Sequence, residues 1–387
     1  MSDLRNQALI KRINRARIFN AIRLGSPIAR AQIAELTKLD RKSLTNFINE
    51  FLEEELVVEL GNFPRDGMGR PFTMLEFAKR LVMGIEITEG CVNGLMMDLY
   101  GRIHASHRVE DVRMNNDQKR LLDAVDTVYR RLKETGEVYH GIGVAIQGVV
   151  DPARGIVRGA VNIPAAVMDL RTALEKFISE RLFFEGCSNT AALAEKWFGC
   201  GGGADDFVYV ELGTGVGAGI VSGRRIYHGA GMYAGELGHI VIEPGGASCR
   251  CGNKGCLEAY VSEHRILDEA RKLLPTTKID RLADIPEPER GSPLEGLLMD
   301  TGRRIGMGLA TVINLLNPKL IVLGERVAQR FGGLLLPAIE EGAARNALSA
   351  CLEDARFVVS SVDEPVAKGA AALVLSDIFE VDGHQYV

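Results

Sequence analysis

Ala234–Tyr260 reads AGELGHIVIEPGGASCRCGNKGCLEAY. Cys249, Cys251 and Cys256 fall within eight residues, and His239 lies ten positions before the first of them. Gly245, Gly246, Gly252 and Gly255 punctuate the run. The pattern is a C-x-C-G-x-x-G-C knuckle with a histidine upstream. Three thiolates and one imidazole make a closed tetrahedral donor set of the kind that suits a structural Zn²⁺. Glycine lets so short a loop turn tightly enough to aim three sulfurs at one point. The plainer alternative, three unrelated buried cysteines, leaves both the spacing and the histidine without a reason. Glu236 and Glu258 bracket the knuckle. Together with His239 they can hydrogen-bond the hydroxyls of a small polyol, held in place by a metal-fixed loop. The bland reading is that both carboxylates are solvated and His239 only holds metal.

A chain of 387 residues is long for one domain, and 46% hydrophobic with 25% charged residues is ordinary globular composition. The charge is uneven. Residues 1–80 carry 14 Lys and Arg against 10 Asp and Glu, and the remainder 32 against 41. A basic first fifth on an acidic body suggests an anion-binding module joined to something else. The four other cysteines, Cys91, Cys187, Cys200 and Cys351, are scattered. The polar start has no signal-peptide core, and no apolar run approaches membrane length. A reduced, cytoplasmic protein is expected.

Residues 14–24 predict a helix, with Gly25, Ser26 and Pro27 stopping it. A second helix is predicted over 29–37, with Ile33 and Leu36 inward. After the turn Lys38-Leu39-Asp40 comes a third, over 41–54. Leu44, Phe47, Ile48, Phe51 and Leu52 are spaced i, i+3, i+4, i+7, i+8, and Asp40 is its N-cap. Arg41, Lys42, Ser43, Thr45 and Asn46 lie outward, suited to phosphates and base edges. Two helices on a tight turn, the second basic at its start, form a helix-turn-helix. Two short strands around GNFPRDGMGR (61–70) add a wing from which Arg65 and Arg70 can reach a groove or a phosphate. Residues 1–80 are therefore expected to be a winged helix-turn-helix that binds double-stranded DNA. A small helical domain with a solvated basic face is the alternative.

Residues 81–387 read as an α/β body. Strands over 81–88, 92–98 and 102–108 make a meander, followed by a helix over 117–134 and a strand over 140–146. Further helices are expected over 170–181, 189–198, 301–314 and 367–378, with residues 275–293 looped. A second meander over 207–212, 217–221 and 224–228 repeats the first, which points to an internally duplicated fold with a cleft between halves. The turn GTGVG at 213–217 suits a phosphate cradle or a plain hairpin equally well.

AGELGH, CRCGNKGCLE and ELGTGVGAGIVSGRRIYHG, the last starting at Glu211, resemble the ROK family of repressors and sugar kinases, from about residue 81 to the C-terminus. The N-terminal winged helix is similar to the repressor branch, such as the xylose and N-acetylglucosamine repressors. The resemblance implies a two-lobe actin/hexokinase-like body with sugar in the inter-lobe cleft. It implies zinc on His239, Cys249, Cys251 and Cys256, with Glu236, His239 and Glu258 facing sugar hydroxyls. Gly148 and Asn162 lie where the family's sugar loops run.

The departures are as informative. Family kinases place an Asn-Asp pair, whose Asp is the general base, where this chain has Gly186-Cys187. A thiol with an ordinary pKa of about 8.5 is a poor substitute for a carboxylate base. The first phosphate loop becomes Glu86-Ile87-Thr88-Glu89-Gly90, and a Gly-Gly near the nucleotide base becomes Gly324-Glu325. The expectation is a repressor of carbohydrate genes without kinase activity, a homodimer or homotetramer, controlled by a sugar-type effector. A kinase with an appended DNA-binding domain and a ligand-independent DNA-binding protein are the rivals.

Overall fold

The computed structural model describes residues 2–63, 72–112, 118–159 and 168–379. The head contains helix α1 (Ser2–Gly25), strand β1 (Ile28–Ala29), α2 (Arg30–Thr37), α3 (Arg41–Glu53), β2 (Val57–Phe63) and β3 (Phe72–Phe77). β3 pairs antiparallel with both β1 and β2, so the three strands form one small sheet beside the helices. The stem strands of the expected wing are present. Arg65 and Arg70 lie outside the described residues.

The first lobe follows: β4 (Leu81–Thr88), β5 (Gly90–Asp98), β6 (Ile103–Val112), α4 (Gln118–Lys133), β7 (Val138–Ile146), β8 (Val149–Asp151), β9 (Ile156–Gly159), β10 (Met168–Asp169), α5 (Leu170–Leu174) and β11 (Leu182–Gly186). Its main sheet has the order β11-β7-β4-β5-β6. α6 (Cys187–Phe198) then leads to the second lobe, which contains β12 (Phe207–Leu212), β13 (Val216–Ser222), β14 (Arg225–Ile226), α7 (Glu258–Val261), α8 (Glu263–Leu273), α9 (Pro293–Leu316), β15 (Leu320–Gly324), α10 (Glu325–Asn346), α11 (Ser349–Leu352) and β16 (Arg356–Val359). Its sheet runs β14-β13-β12-β15-β16. Each sheet is an antiparallel meander extended by two parallel strands, so the duplication expected from sequence is present. α12 (Pro365–Phe379) returns to the first lobe. It lies so close to the sheet that a Cβ at Gly84 or Gly143 would overlap the backbone of Ala367 or Ala370.

Several boundaries differ from expectation. The helix expected over 170–181 is only the single turn and a half of α5. α9 begins at Pro293, behind the Ser292 N-cap, rather than near 301. α8 and α10 were not anticipated at all. Leu36 points outward, 64% exposed, because the short α2 buries Ile33 and Thr37, one turn apart, instead.

The head shares a core with the body. Ile18, Phe19 and Ile22 of α1, Leu44, Ile48 and Phe51 of α3, Trp197 of α6, and Val374, Leu375 and Phe379 of α12 belong to one buried cluster. At roughly 1.5–3 kcal/mol for each fully buried large apolar side chain, this contact holds the head firmly.

Candidate functional site

The knuckle is built by two short bridges and glycines in the left-handed region. Val241 pairs with Cys256, and Ser248 with Lys254. Gly245, Gly252 and Gly255 take φ of 75°, 94° and 80°, which other residues rarely adopt. The Cys249 N–H donates to the Asn253 carbonyl at 2.8 Å, and the Ala247 N–H to the Tyr260 hydroxyl at 2.7 Å. His239 arrives on a single 3₁₀ turn, Leu237–His239.

One donor atom from each of His239, Cys249, Cys251 and Cys256 lies within 4.8 Å of all the others. Cys249 Sγ is 3.7 Å from His239 Nδ1, and Cys251 Sγ is 3.7 Å from Cys256 Sγ. A tetrahedral ion with bonds of about 2.3 Å sets its sulfurs about 3.8 Å apart, so the four groups fit a metal ion.

With Nδ1 turned to the thiols, His239 Nε2 faces the inter-lobe cleft, 3.7 Å from a Glu236 oxygen. Glu258, at the start of α7, is 9% exposed and accepts the Val216 N–H at 3.0 Å. Gly148, with φ 131°, lies on the facing wall. The structure thus brings Gly148, Glu236, His239 and Glu258 to one cleft of about 140 Å³. Asn162 lies outside the described residues.

Sequence reasoning missed much of the cleft's far wall, formed by β11, the start of α6, and β12. Glu185 accepts from Asn189 Nδ2 at 3.0 Å and the Gly186 N–H at 2.9 Å, and it pairs with His228 Nε2 at 2.6 Å. This bond raises the pKa of His228 despite its partial burial. Asn189 Oδ1 is buried with no partner among the described residues. Ser188 Oγ donates to Glu211. Burial first, and the neighbouring Glu325 second, push Glu211 up to about 8. Burial likewise raises the Cys187 thiol well above its ordinary value, so it carries no thiolate at neutral pH.

Gln147, Cys187 and Glu211 also line a second cavity, of about 390 Å³. Glu86, Glu89, Glu110, Asp111, Glu325 and Glu364 surround it with them. Its two arginines are engaged: Arg108 with Glu110 at 2.6 Å, and Arg326 with Glu263 at 3.3 Å. Glu86 is pushed up to about 7, by burial and then by Glu325. Asn93 Nδ2 bridges Glu86 and Glu364, at 3.3 and 2.7 Å.

On the head, the Asp40 carboxylate caps α3, accepting the Lys42 and Ser43 N–H groups at 3.0 Å each. Arg41, Lys42, Thr45 and Asn46 are exposed. Two hydroxyls of the expected contact set have local partners: Ser43 Oγ donates to Asp40 at 2.6 Å, and Thr45 Oγ1 to the Arg41 carbonyl at 2.8 Å.

A two-lobe α/β body with a thiol–imidazole knuckle at its cleft and a helix-turn-helix head defines the class. The profile of the ROK family matches residues 82–377, and the chain belongs to the ROK family. It is 27% identical to the xylose repressor of Caldicellulosiruptor bescii, over 96% of this chain and 98% of that protein. It is 29% identical to the DNA-binding transcriptional dual regulator NagC of Escherichia coli K12, over 96% and 95%. Among solved structures, it is similar to a ROK family transcriptional regulator described as a homologue of the E. coli MLC protein. That match has a TM-score of 0.77 and 26% identity, covering 96% of this chain and 97% of the other. A ROK family glucokinase from Streptomyces griseus, solved with glucose and AMPPNP, matches at a TM-score of 0.67 and 26% identity. It covers 76% of this chain and 98% of the kinase. Among the described residues, no helix is long and apolar enough to cross a membrane.

Proposed function

We propose that this chain is a transcriptional repressor of carbohydrate genes whose DNA binding responds to a sugar-type effector in the inter-lobe cleft. The observation that carries the reading is the joint presence, in one chain, of the capped basic helix α3 on a winged head and the polar cleft beside the knuckle. The similarity to repressors extends over the head as well as the body. Arg41, Lys42 and Asn46 contact phosphates or base edges, Ser43 and Thr45 support them, and Arg65 and Arg70 reach the duplex from the wing. The protein acts in the cytoplasm as a homodimer or homotetramer, placing recognition helices in successive major grooves. Zinc on His239, Cys249, Cys251 and Cys256 stiffens the cleft wall, so that Glu236, His239 and Glu258 meet the ligand already oriented. Gly148 and Asn162 contribute from the opposite loops.

Sugar phosphorylation has no support in the second cavity. A general base there would be Cys187, a buried neutral thiol, and a triphosphate would meet a wall of carboxylates. The test is selection of bound genomic fragments by the full chain, with and without a panel of sugars, beside a coupled ADP-release assay. The expected result is a specific set of fragments, released or retained by one sugar, and no ADP. Turnover abolished by Cys187→Ala would establish the kinase instead. Fragment retention unaffected by every sugar, with no thermal stabilisation, would favour a ligand-independent DNA-binding protein.

A further inference from the structure

Two helices reach from the cleft to the head. α6 begins with Cys187, Ser188 and Asn189 in the cleft wall. α12 begins with Pro365 and Val366, beside Glu364, in the wall of the second cavity. They lie parallel and in register. Gly369 rests on the Thr190 carbonyl so closely that a Cβ would overlap it. Two turns further along both helices, Trp197 Nε1 donates to Ser376 Oγ at 3.1 Å. The pair is wedged between the lobes. α12 presses on Gly84 and Gly143 of the first sheet, and α6 presses, through Ser188 and Ala192, on Gly219 of β13 in the second. β13 itself contributes Val216, Gly217 and Ala218 to the cleft.

The far ends enter the head. Trp197 stands edge-on to Phe19 of α1, ring centroids 5.8 Å apart, and the Arg23 guanidinium lies over the indole at 5.8 Å. Phe379 stacks on Phe19 at 3.4 Å and meets Phe51 edge-on at 6.4 Å. Phe51 belongs to α3, the helix that carries Arg41 and Asn46. An α6 of 12 residues spans about 18 Å from the cleft, and Trp197, Phe19 and Phe379 link its far end to Phe51 of the recognition helix.

We infer that α6 and α12 form one strut that carries cleft occupancy to the head, with Trp197 and Phe379 as the positioning residues at its joint with α1 and α3. The inference rests on the effector-responsive reading above. Its physical basis is that close-packed contacts respond by switching between discrete arrangements rather than by stretching. A ligand that draws β13 toward the start of α6 shifts a helix that has no slack at Gly369 or Gly219. The shift arrives at Phe19 and Phe51. Such coupling is reciprocal: DNA on the head must alter the cleft end of the strut.

Trp197 is the chain's single tryptophan, so its emission reports on the joint without a label. The full-length protein is first offered a random duplex library, and a retained duplex becomes the DNA probe. If none is retained, the regulator reading falls and the strut with it. With a duplex in hand, binding should shift the Trp197 emission and change amide exchange at residues 187–190 and 366–369, far from the DNA. No change in either overturns the strut while leaving the regulator intact. D-xylose, N-acetylglucosamine and D-glucose serve as the sugar probes. A bound sugar should alter duplex affinity on the order of 5- to 150-fold. Trp197→Leu should bring that ratio close to one while the sugar midpoint stays within about threefold. Trp197→Phe, which keeps a ring against Phe19, should restore most of it. An undiminished ratio in folded Trp197→Leu overturns the inference, and Phe19→Leu tests the other side of the same joint should the first variant fail to fold.

Discussion

Replacing Glu211 by Gln isolates the proton held at the floor of the cleft. Glu211 accepts from Ser188 Oγ and is pushed up to about 8 by burial and by Glu325, against an ordinary value of 4.5. The folded state therefore keeps a proton that the unfolded chain releases near 4.5. A carboxyl raised on folding contributes stability that is fully present below the unfolded pKa and is lost as pH rises through the folded one. One pH unit of separation corresponds to about 1.4 kcal/mol, which caps the loss between pH 5 and pH 9 at about 5 kcal/mol. Glu86 and Glu325 share the repulsion, so a loss of about 2–4 kcal/mol attributable to Glu211 is expected. Gln has the same shape, stays neutral throughout and can still bond Ser188. The assay is thermal unfolding of metal-loaded wild type and Glu211→Gln from pH 5 to pH 9. Comparing the two proteins at each pH cancels titrations they share, including those of the knuckle. Near pH 5 they should melt together. By pH 9 the variant should melt several degrees higher, at about 2 °C per kcal/mol for a large domain. Curves that stay parallel across the range would show that Glu211 is ionised at neutral pH and would refute the reasoning.

Cys251→Ser removes one of four converging donors; native mass spectrometry should find less than full zinc occupancy, with a lower melting temperature, and full occupancy would contradict the donor set. Asn46→Ala should lower affinity for a selected duplex by about 1–3 kcal/mol while leaving random duplex nearly unaffected. Equal losses measured by anisotropy would remove Asn46 from base reading. Cys187→Asp should remain without phosphotransfer in an ADP-release assay, because restoring a base does not clear Glu86, Glu325 and Glu364 from the second cavity. Turnover by that variant would show that the cavity admits nucleotide.

The head and the knuckle were legible because their signals are local. The spacing from Leu44 to Leu52, the Asp40 cap and the glycines around Cys251 each act within a few residues. α10 was not legible for the opposite reason. Its sequence contains Gly332, Gly333, Pro337 and Gly342, all of which read as breakers. Two of the glycines are required because α9 and β16 approach closely: a Cβ at Gly342 would overlap the Arg303 backbone, and Gly332 faces Val359. Tertiary packing overrides propensity there. The far wall of the cleft depends on pairings across the lobes. Ser188 finds Glu211 and Glu185 finds His228 only once the two sheets are side by side. A glutamate before GTGVG gave no sign that it would be buried.

The second cavity is lined largely by carboxylates. Glu325 takes φ 67°, a left-handed conformation that glycine adopts freely and that costs another residue about 1–2 kcal/mol. Its carboxylate adds to a wall that already holds Glu86, Glu211 and Glu364. Both Arg108 and Arg326 are engaged by carboxylates, at Glu110 and Glu263, so neither is available to an entering anion without breaking a pair. The cavity reduces its own repulsion by holding protons, at about 7 on Glu86 and about 8 on Glu211. A polyphosphate would have to enter against the remaining charge and would drive those protons to stay. The inter-lobe cleft, by contrast, holds Glu236, His239 and Glu258 beside the knuckle. The function proposed above asks for ligand binding in the first cavity alone, and the start of α6 walls both.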